Sequence, residues 1–180
     1  MSSSISVQNY AIDAAHSTVQ FTVRHLMIAK IHGRFAAVTG TLEILPESSV
    51  PTAIDVSIDV ASIDTREEQR DGHLKSPEFF DVATYPYITF LSTRVEGDGD
   101  RFRVYGDLTI HGTTREVALD TAFGGRARDP WGNQRVGFEA LTTIDRKDFG
   151  LTHNMALETG GVLVGDEVSI TLDVEAVAQQ

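Results

Sequence analysis

Glu167-Val-Ser-Ile-Thr-Leu-Asp-Val-Glu-Ala176 places Val168, Ile170, Leu172, Val174 and Ala176 at one parity and Glu167, Ser169, Thr171, Asp173 and Glu175 at the other. Side chains alternate across an extended backbone, so this pattern reads as a strand with one dry face and one wet face. Similar alternation recurs upstream. Val19, Phe21, Val23 and His25 oppose Thr18, Gln20, Thr22 and Arg24, and Ile54, Val56, Ile58 and Val60 oppose Asp55, Ser57 and Asp59. Phe102, Val104, Gly106, Leu108 and Ile110 follow the same rule, as do Val117, Leu119 and Phe123, and then Val136, Phe138, Ala140, Thr142 and Ile144. Two stretches are less regular. Over 34–45, Val38, Leu42 and Ile44 share a face from which Phe35 is out of phase, which predicts a bulge near Ala36 or Gly40. Over 87–95, Tyr87, Ile88, Phe90, Leu91 and Val95 occupy both parities, which predicts cover on both faces.

Eight such strands joined by short turns predict an all-β fold, an eight-stranded antiparallel up-and-down barrel closed by pairing the first strand with the last. Closure removes exposed edges. One covering helix is expected over Thr65 to Lys75, since Thr65 followed by Glu68 has the form of a capping box and Leu74 can turn inward. The segment His25 to Lys30 breaks the alternation and suits a helical turn acting as a lid or plug, and Pro77-Glu-Phe-Phe80 is too apolar to be left in solvent. Phe123-Gly-Gly-Arg126 and Gly160-Gly161 read as turns. At 180 residues the chain fits a single domain, with 1–9 expected as a disordered tail.

Acidic residues outnumber basic ones 26 to 15, and the net charge of −11 argues against nucleic acid and anionic lipid surfaces as partners. With no cysteine there is no disulfide and no thiolate chemistry. The opening Met1-Ser-Ser-Ser-Ile-Ser-Val-Gln-Asn9 lacks the pattern of a signal peptide, which predicts a cytoplasmic protein, and no window is apolar enough to span a membrane.

No catalytic constellation stands out. There is no Gly-x-Ser-x-Gly elbow, and Ser17 merely neighbours His16. The histidines at 16, 25, 32, 73, 111 and 153 form no His-Glu-x-x-His or His-x-His pair, so the sequence predicts no metal site, and one could arise only by convergence of distant residues. His25 shares the inward parity of Val19, Phe21 and Val23. It reads either as a satisfied histidine at the barrel rim or as a hydrogen-bond donor to a ligand's polar head. Arg146 and Asp148 flank a strand end and read as a structural salt bridge. Together with His25 they form the one polar cluster on which an enzyme acting on a small hydrophobic substrate could be built.

Four motifs carry a resemblance. They are Arg70-Asp-Gly-His-Leu-Lys-Ser-Pro-Glu-Phe-Phe-Asp-Val-Ala-Thr-Tyr-Pro-Tyr-Ile-Thr-Phe90, His16-Ser-Thr-Val-Gln-Phe-Thr-Val-Arg-His25 with Gly33 and Phe35, Leu108-Thr-Ile-His-Gly-Thr-Thr114, and Ile144-Asp-Arg-Lys-Asp-Phe-Gly-Leu151. In their order along the chain, over about Tyr10 to Ala176, the chain resembles the YceI-like family of lipocalin-like, polyisoprenoid-binding proteins. The resemblance implies an extended barrel with a helical cover, an elongated apolar pore and binding of isoprenoid quinones or other long-chain amphiphiles. It also implies a homodimer, which no sequence feature demands.

Parity and resemblance together give the expected ligand-binding set: Phe21, Val23, His25, Val56, Ile58, Phe90, Val104, Leu108, Phe138 and Ile170, with Phe35, Phe79 and Phe80 near the ends. Parity alone leaves open whether these side chains pack on one another or on a ligand. The expected function is a soluble carrier of a polyisoprenoid lipid or isoprenoid quinone, without enzymatic activity and with no required cofactor. A fatty acid or fatty amide is the alternative occupant.

Overall fold

The computed structural model describes residues 4–155, 157 and 163–180. Its strands are β1 (Gln8–Ile12), β2 (Thr18–His25), β3 (Ala29–Phe35), β4 (Val38–Ile44), β5 (Pro51–Asp59) and β6 (Ile63–Asp64), followed by helix α1 (Glu68–Lys75). Then come β7 (Tyr87–Glu96), β8 (Arg101–Ile110), β9 (Thr113–Arg128), β10 (Gln134–Asp145) and β11 (Val164–Ala178). Neighbouring strands pair antiparallel in the order β1-β4-β5-β7-β8-β9-β10-β11-β2-β3-β6, and an additional β1–β11 pairing closes the ring. The eleven segments make a closed barrel of eight strands, because β1 runs into β2, β3 into β4 and β5 into β6 with only short breaks. The longest strand of the closure is β11. Its first part pairs with β2, from Val164 opposite His25 to Asp173 opposite Thr18, and its last residues pair with β1.

The breaks explain where simple alternation fails. Between β1 and β2 a 3₁₀ turn at Ala14–His16 is capped by Asp13, whose carboxylate accepts from the Ala15 N–H. Between β3 and β4 the chain leaves the ladder at Ala36 and Ala37, so Phe35 and Val38, three residues apart, both face inward. The predicted phase slip is therefore a two-residue interruption. Gly40 lies beyond it, where a Cβ would stand 2.5 Å from the Asp55 carbonyl oxygen.

Several local expectations are corrected. Leu26 to Ile28 form a tight turn between β2 and β3, with Leu26 and Met27 at positive φ, and Met27 and Ile28 are exposed, so the segment is neither helical nor a plug. Gln8 and Asn9, expected in a tail, pair with Ile44 and Glu43. One face of β7 is wet: Tyr87 and Leu91 are exposed while Ile88 and Phe90 are buried. Gly124 and Gly125 lie inside β9, where the register slips because Phe138 faces Phe123 and Gly137 faces Gly125, leaving Gly124 as the extra residue of a bulge. Gly160 and Gly161 lie outside the described residues.

Helix α1 starts later than predicted. Its N-cap is Glu67, whose carboxylate accepts from the Gln69 and Arg70 N–H groups. Thr65 is buried outside the helix, where its hydroxyl donates to Asp71 Oδ1 and accepts from Arg70 Nε, while Arg70 Nη2 donates to the Thr65 carbonyl. These contacts fold the helix back against the strand that precedes it. Leu74 packs on the core from α1, and the turn beyond it carries Phe79 and Phe80 onto the barrel end.

Buried Val, Leu, Ile and Phe side chains at the inward positions hold the barrel, each worth about 1.5–3 kcal/mol when fully removed from water. At the end marked by the turns 45–50, 97–100 and 129–133, Tyr10, Ile44, Phe102 and Val136 are buried, and Phe138 lies within 6.2 Å of the Phe102 ring and 5.4 Å of the Phe123 ring. On the wall outside this end, Arg135 donates from Nε to Asp129 (2.8 Å) and from Nη1 to Asp13 (2.8 Å) and Glu175 (3.1 Å), tying β10 to the β1–β2 junction and to β11.

Candidate functional site

Parity places one set of side chains inside, and accessibility shows that they do not fill it. Val56, Val168, Ile170, Leu172 and Val174 face inward yet are only half-buried, because they border a cavity of about 220 Å³. Among the described residues its wall is apolar almost throughout, with Gln20, Thr121, Thr142 and Arg146 as the polar or charged contributors. Tyr10, Ile44, Phe102 and Val136 lie beyond it, so one end of the barrel is packed. Towards the other end the lining includes Leu74, Phe79 and Phe80 from the cover and Leu151 and Val164 from the rim.

Glycines on the wall make part of this space. Gly33 faces Phe21 across β2–β3, and a Cβ there would stand 2.2 Å from Phe21 Cζ; at Gly106 a Cβ would stand 2.4 Å from Phe90 Cζ. Each ring therefore lies against the neighbouring strand's backbone instead of projecting into the lumen. Phe21 also meets Phe35 at 5.5 Å, and Phe35 meets Phe80 edge-on at 6.1 Å, so an aromatic row runs from the wall to the cover.

Of the expected binding residues, Phe21, Val23, Phe35, Val56, Ile58, Phe79, Phe80, Phe90, Val104, Leu108, Phe138 and Ile170 all line the cavity. His25 does not: it ends β2 opposite Ala29 and Val164, outside the lining. Further lining residues, among them Val168, Leu172 and Val174, were legible from the same alternation that picked out Ile170. Leu151 gave no such signal because it belongs to no strand.

The polar trio does not assemble. Arg146 is buried, Asp148 is exposed, and no hydrogen bond joins either to the other or to His25 among the described residues. Arg146 instead donates to backbone carbonyls, with Nε on Gly165 (2.8 Å) and Nη1 on Leu151 and His153 (3.0 Å to the latter). Among the described residues its nearest carboxylate is Asp166, at 3.9 Å from Nη2, and Asp166 also meets Lys147 at 3.2 Å. Burial lowers the Arg146 pKa from its ordinary value, with Asp166 and Asp145 opposing the shift. A guanidinium occupied in this way is a staple for the rim, holding the segment after β10 to the start of β11.

That staple has a consequence at the cover. His153, whose carbonyl it holds, stands beside His73 of α1 and Glu78 of the following turn, and the three side chains offer donor atoms all within 4.8 Å of one another. His73 Nε2 hydrogen-bonds Glu78 Oε2, which lies 3.8 Å from His153 Nε2, and the bond from His73 holds the Glu78 carboxyl below its ordinary range. The distant convergence that the histidine spacing could not reveal is present in the fold.

Residues 10–176 match the YceI-like domain, a span that covers almost all of the barrel just described. The chain belongs to the YceI-like family. The YceI protein of Escherichia coli O157:H7 is 36% identical over 174 residues, covering 96% of this chain and 88% of that protein. Among solved structures, Burkholderia cenocepacia BcnA superposes with a TM-score of 0.78 at 23% identity, covering 91% of this chain and 98% of its own. A polyisoprenoid binding domain from Saccharophagus degradans, implicated in plant cell wall breakdown, does so with a TM-score of 0.70 at 17% identity, covering 94% and 98%. The barrel fold is thus shared with both solved structures. No helix among the described residues is long and apolar enough to cross a membrane.

Proposed function

We propose that this YceI-like barrel is a binding or carrier protein, not an enzyme, and that its cavity takes the tail of a polyisoprenoid lipid such as an isoprenoid quinone. The carrying observation is the half-buried state of Val56, Val168, Ile170, Leu172 and Val174, inward-facing apolar residues whose surface is left for a guest. The Saccharophagus degradans domain of the same fold, described as polyisoprenoid binding, supports the choice of ligand class. No cofactor is needed for this role.

Cavity size sharpens the reading. A cavity of about 150 Å³ accommodates benzene, so the present 220 Å³ seats about nine carbons, close to two isoprene units. At about 0.8 kcal/mol per buried methylene, ten carbons contribute on the order of 8 kcal/mol gross, from which ordering of the tail is subtracted. The wall offers few polar groups, and Arg146 is engaged by carbonyls, so the head group stays outside, on the side of α1 and Phe79.

Titration of lipid-free protein with isoprenoid quinones of one to six isoprene units tests this. Affinity should rise up to about two units and then level off. Absence of binding, or affinity indifferent to tail length, overturns the proposal. A saturated fatty amide bound as tightly as a matched isoprenoid would replace the isoprenoid assignment by a fatty one.

A further inference from the structure

We propose that His73, Glu78 and His153 form a binding site for a divalent transition-metal ion of the zinc class, placed where the cover meets the barrel rim. Two imidazole nitrogens and one carboxylate oxygen are the donor set that borderline ions such as Zn²⁺ favour, and three protein ligands leave a fourth position for water. Tetrahedral coordination at about 2.0–2.2 Å sets donors roughly 3.3 Å apart. The three donors already lie within 4.8 Å of one another, so closure requires only small rotations of side chains that are 48%, 58% and 31% exposed.

The surroundings hold the donors in place. His73 lies in the last turn of α1, and the chain beyond it is fixed by the Phe79 N–H on Ser76 and the Phe80 N–H on Leu74, both at 3.0 Å, which places Glu78 beside that turn. His153 comes from the opposite side, its backbone held by Arg146. Phe79 packs edge-on against both imidazoles, at 5.0 Å from His73 and 4.9 Å from His153, and the same ring lines the cavity. The chain's net charge of −11 raises the local concentration of cations. An ion held here ties α1 and the turn that follows it to the His153 segment of the rim, and so fastens α1 and Phe79 over the cavity.

The test uses the full chain without a histidine tag and without lipid, so its result does not depend on what the cavity holds. Calorimetric titration with Zn²⁺ should give one ion per chain, and Co²⁺ should give the intense visible bands of a four-coordinate site. His73→Gln, Glu78→Gln and His153→Gln should each weaken Zn²⁺ binding by about 100-fold or more, since even changes outside the coordination shell cost 10–100-fold. His111→Gln, at a ring packed on Tyr85, should leave it unchanged. Melting of each variant without metal separates loss of a ligand from loss of the fold. On the unmodified chain, Zn²⁺ should shift the imidazole resonances of His73 and His153 and spare those of His16 and His32. Absence of binding, binding that survives His153→Gln, a weak six-coordinate Co²⁺ spectrum, or shifts confined to other histidines would overturn the site.

Discussion

Alanine at Gly33 would ask directly whether the lumen has room. Its Cβ would stand 2.2 Å from Phe21 Cζ and 2.6 and 2.8 Å from the two Cε atoms, with no backbone atom among those three nearest contacts. Carbon atoms pack at about 3.5–4.0 Å, so the ring must retreat by roughly 1.5 Å. Gly33 is not at positive φ, and a strand gains about 0.5–1 kcal/mol when alanine replaces glycine. Phe35 stands 5.5 Å away on one side of the ring, and the cavity lies on another. With an open lumen the ring swings inward, and unfolding free energy should change by less than about 1 kcal/mol, whereas overpacking a filled core costs about 1–3 kcal/mol. The displaced ring takes the space of one or two methylenes, at about 0.8 kcal/mol each. Affinity for a two-isoprene ligand should therefore fall about four- to fifteenfold. Urea unfolding and ligand titration on the same preparation measure both quantities. Destabilisation beyond about 2 kcal/mol with unchanged affinity would show that Phe21 belongs to a filled core, and the reasoning would fail.

Leu108→Trp should block the cavity and abolish ligand binding at a cost in stability below about 1 kcal/mol, as checked by the same pair of assays. Arg146→Lys leaves the Gly165, Leu151 and His153 carbonyls with one ammonium in place of a planar fork, and urea unfolding should show a loss of about 2–4 kcal/mol. Asp13 and Asp129 are held down at about 2 from the usual 3.8, chiefly by hydrogen bonds from Arg135, so between these values the folded chain binds fewer protons than the unfolded one. The stability they contribute is present above about pH 4 and is lost as pH falls towards 2. Unfolding of Arg135→Met followed over that window should depend less steeply on pH than the unmodified chain, and parallel profiles would refute the linkage.

Where strand alternation is unbroken, as from Val168 to Ala176 or from Phe102 to Ile110, inward-facing residues could be read directly, because side-chain parity is a local property of an extended chain. At Ala36–Ala37 the break was itself legible, because Phe35 stands out of phase with Val38, Leu42 and Ile44; at Gly124 an extra residue resets the phase inside β9, where the glycines had read as a turn. At Thr65 a capping-box pattern lost to a tertiary alternative: the hydroxyl found Asp71 and Arg70, and Glu67 capped the helix. Arg146 misled for a related reason. Its charge suggested a carboxylate partner nearby in sequence, but a buried guanidinium with several donors is satisfied equally well by carbonyls of segments brought together by the fold.

The sequence by itself determined that the sheet closes and which faces of its strands turn inward, since eight amphipathic strands with short connections leave few other ways to bury their apolar sides. Only the tertiary structure decided that part of the interior is open. The space left inside is a small difference between barrel volume and side-chain volume, and it depends on rings such as Phe21 lying flat over Gly33. The same holds for His153, which no local spacing connects to His73 and Glu78 and which meets them because the cover and the stapled rim converge at one end of the barrel.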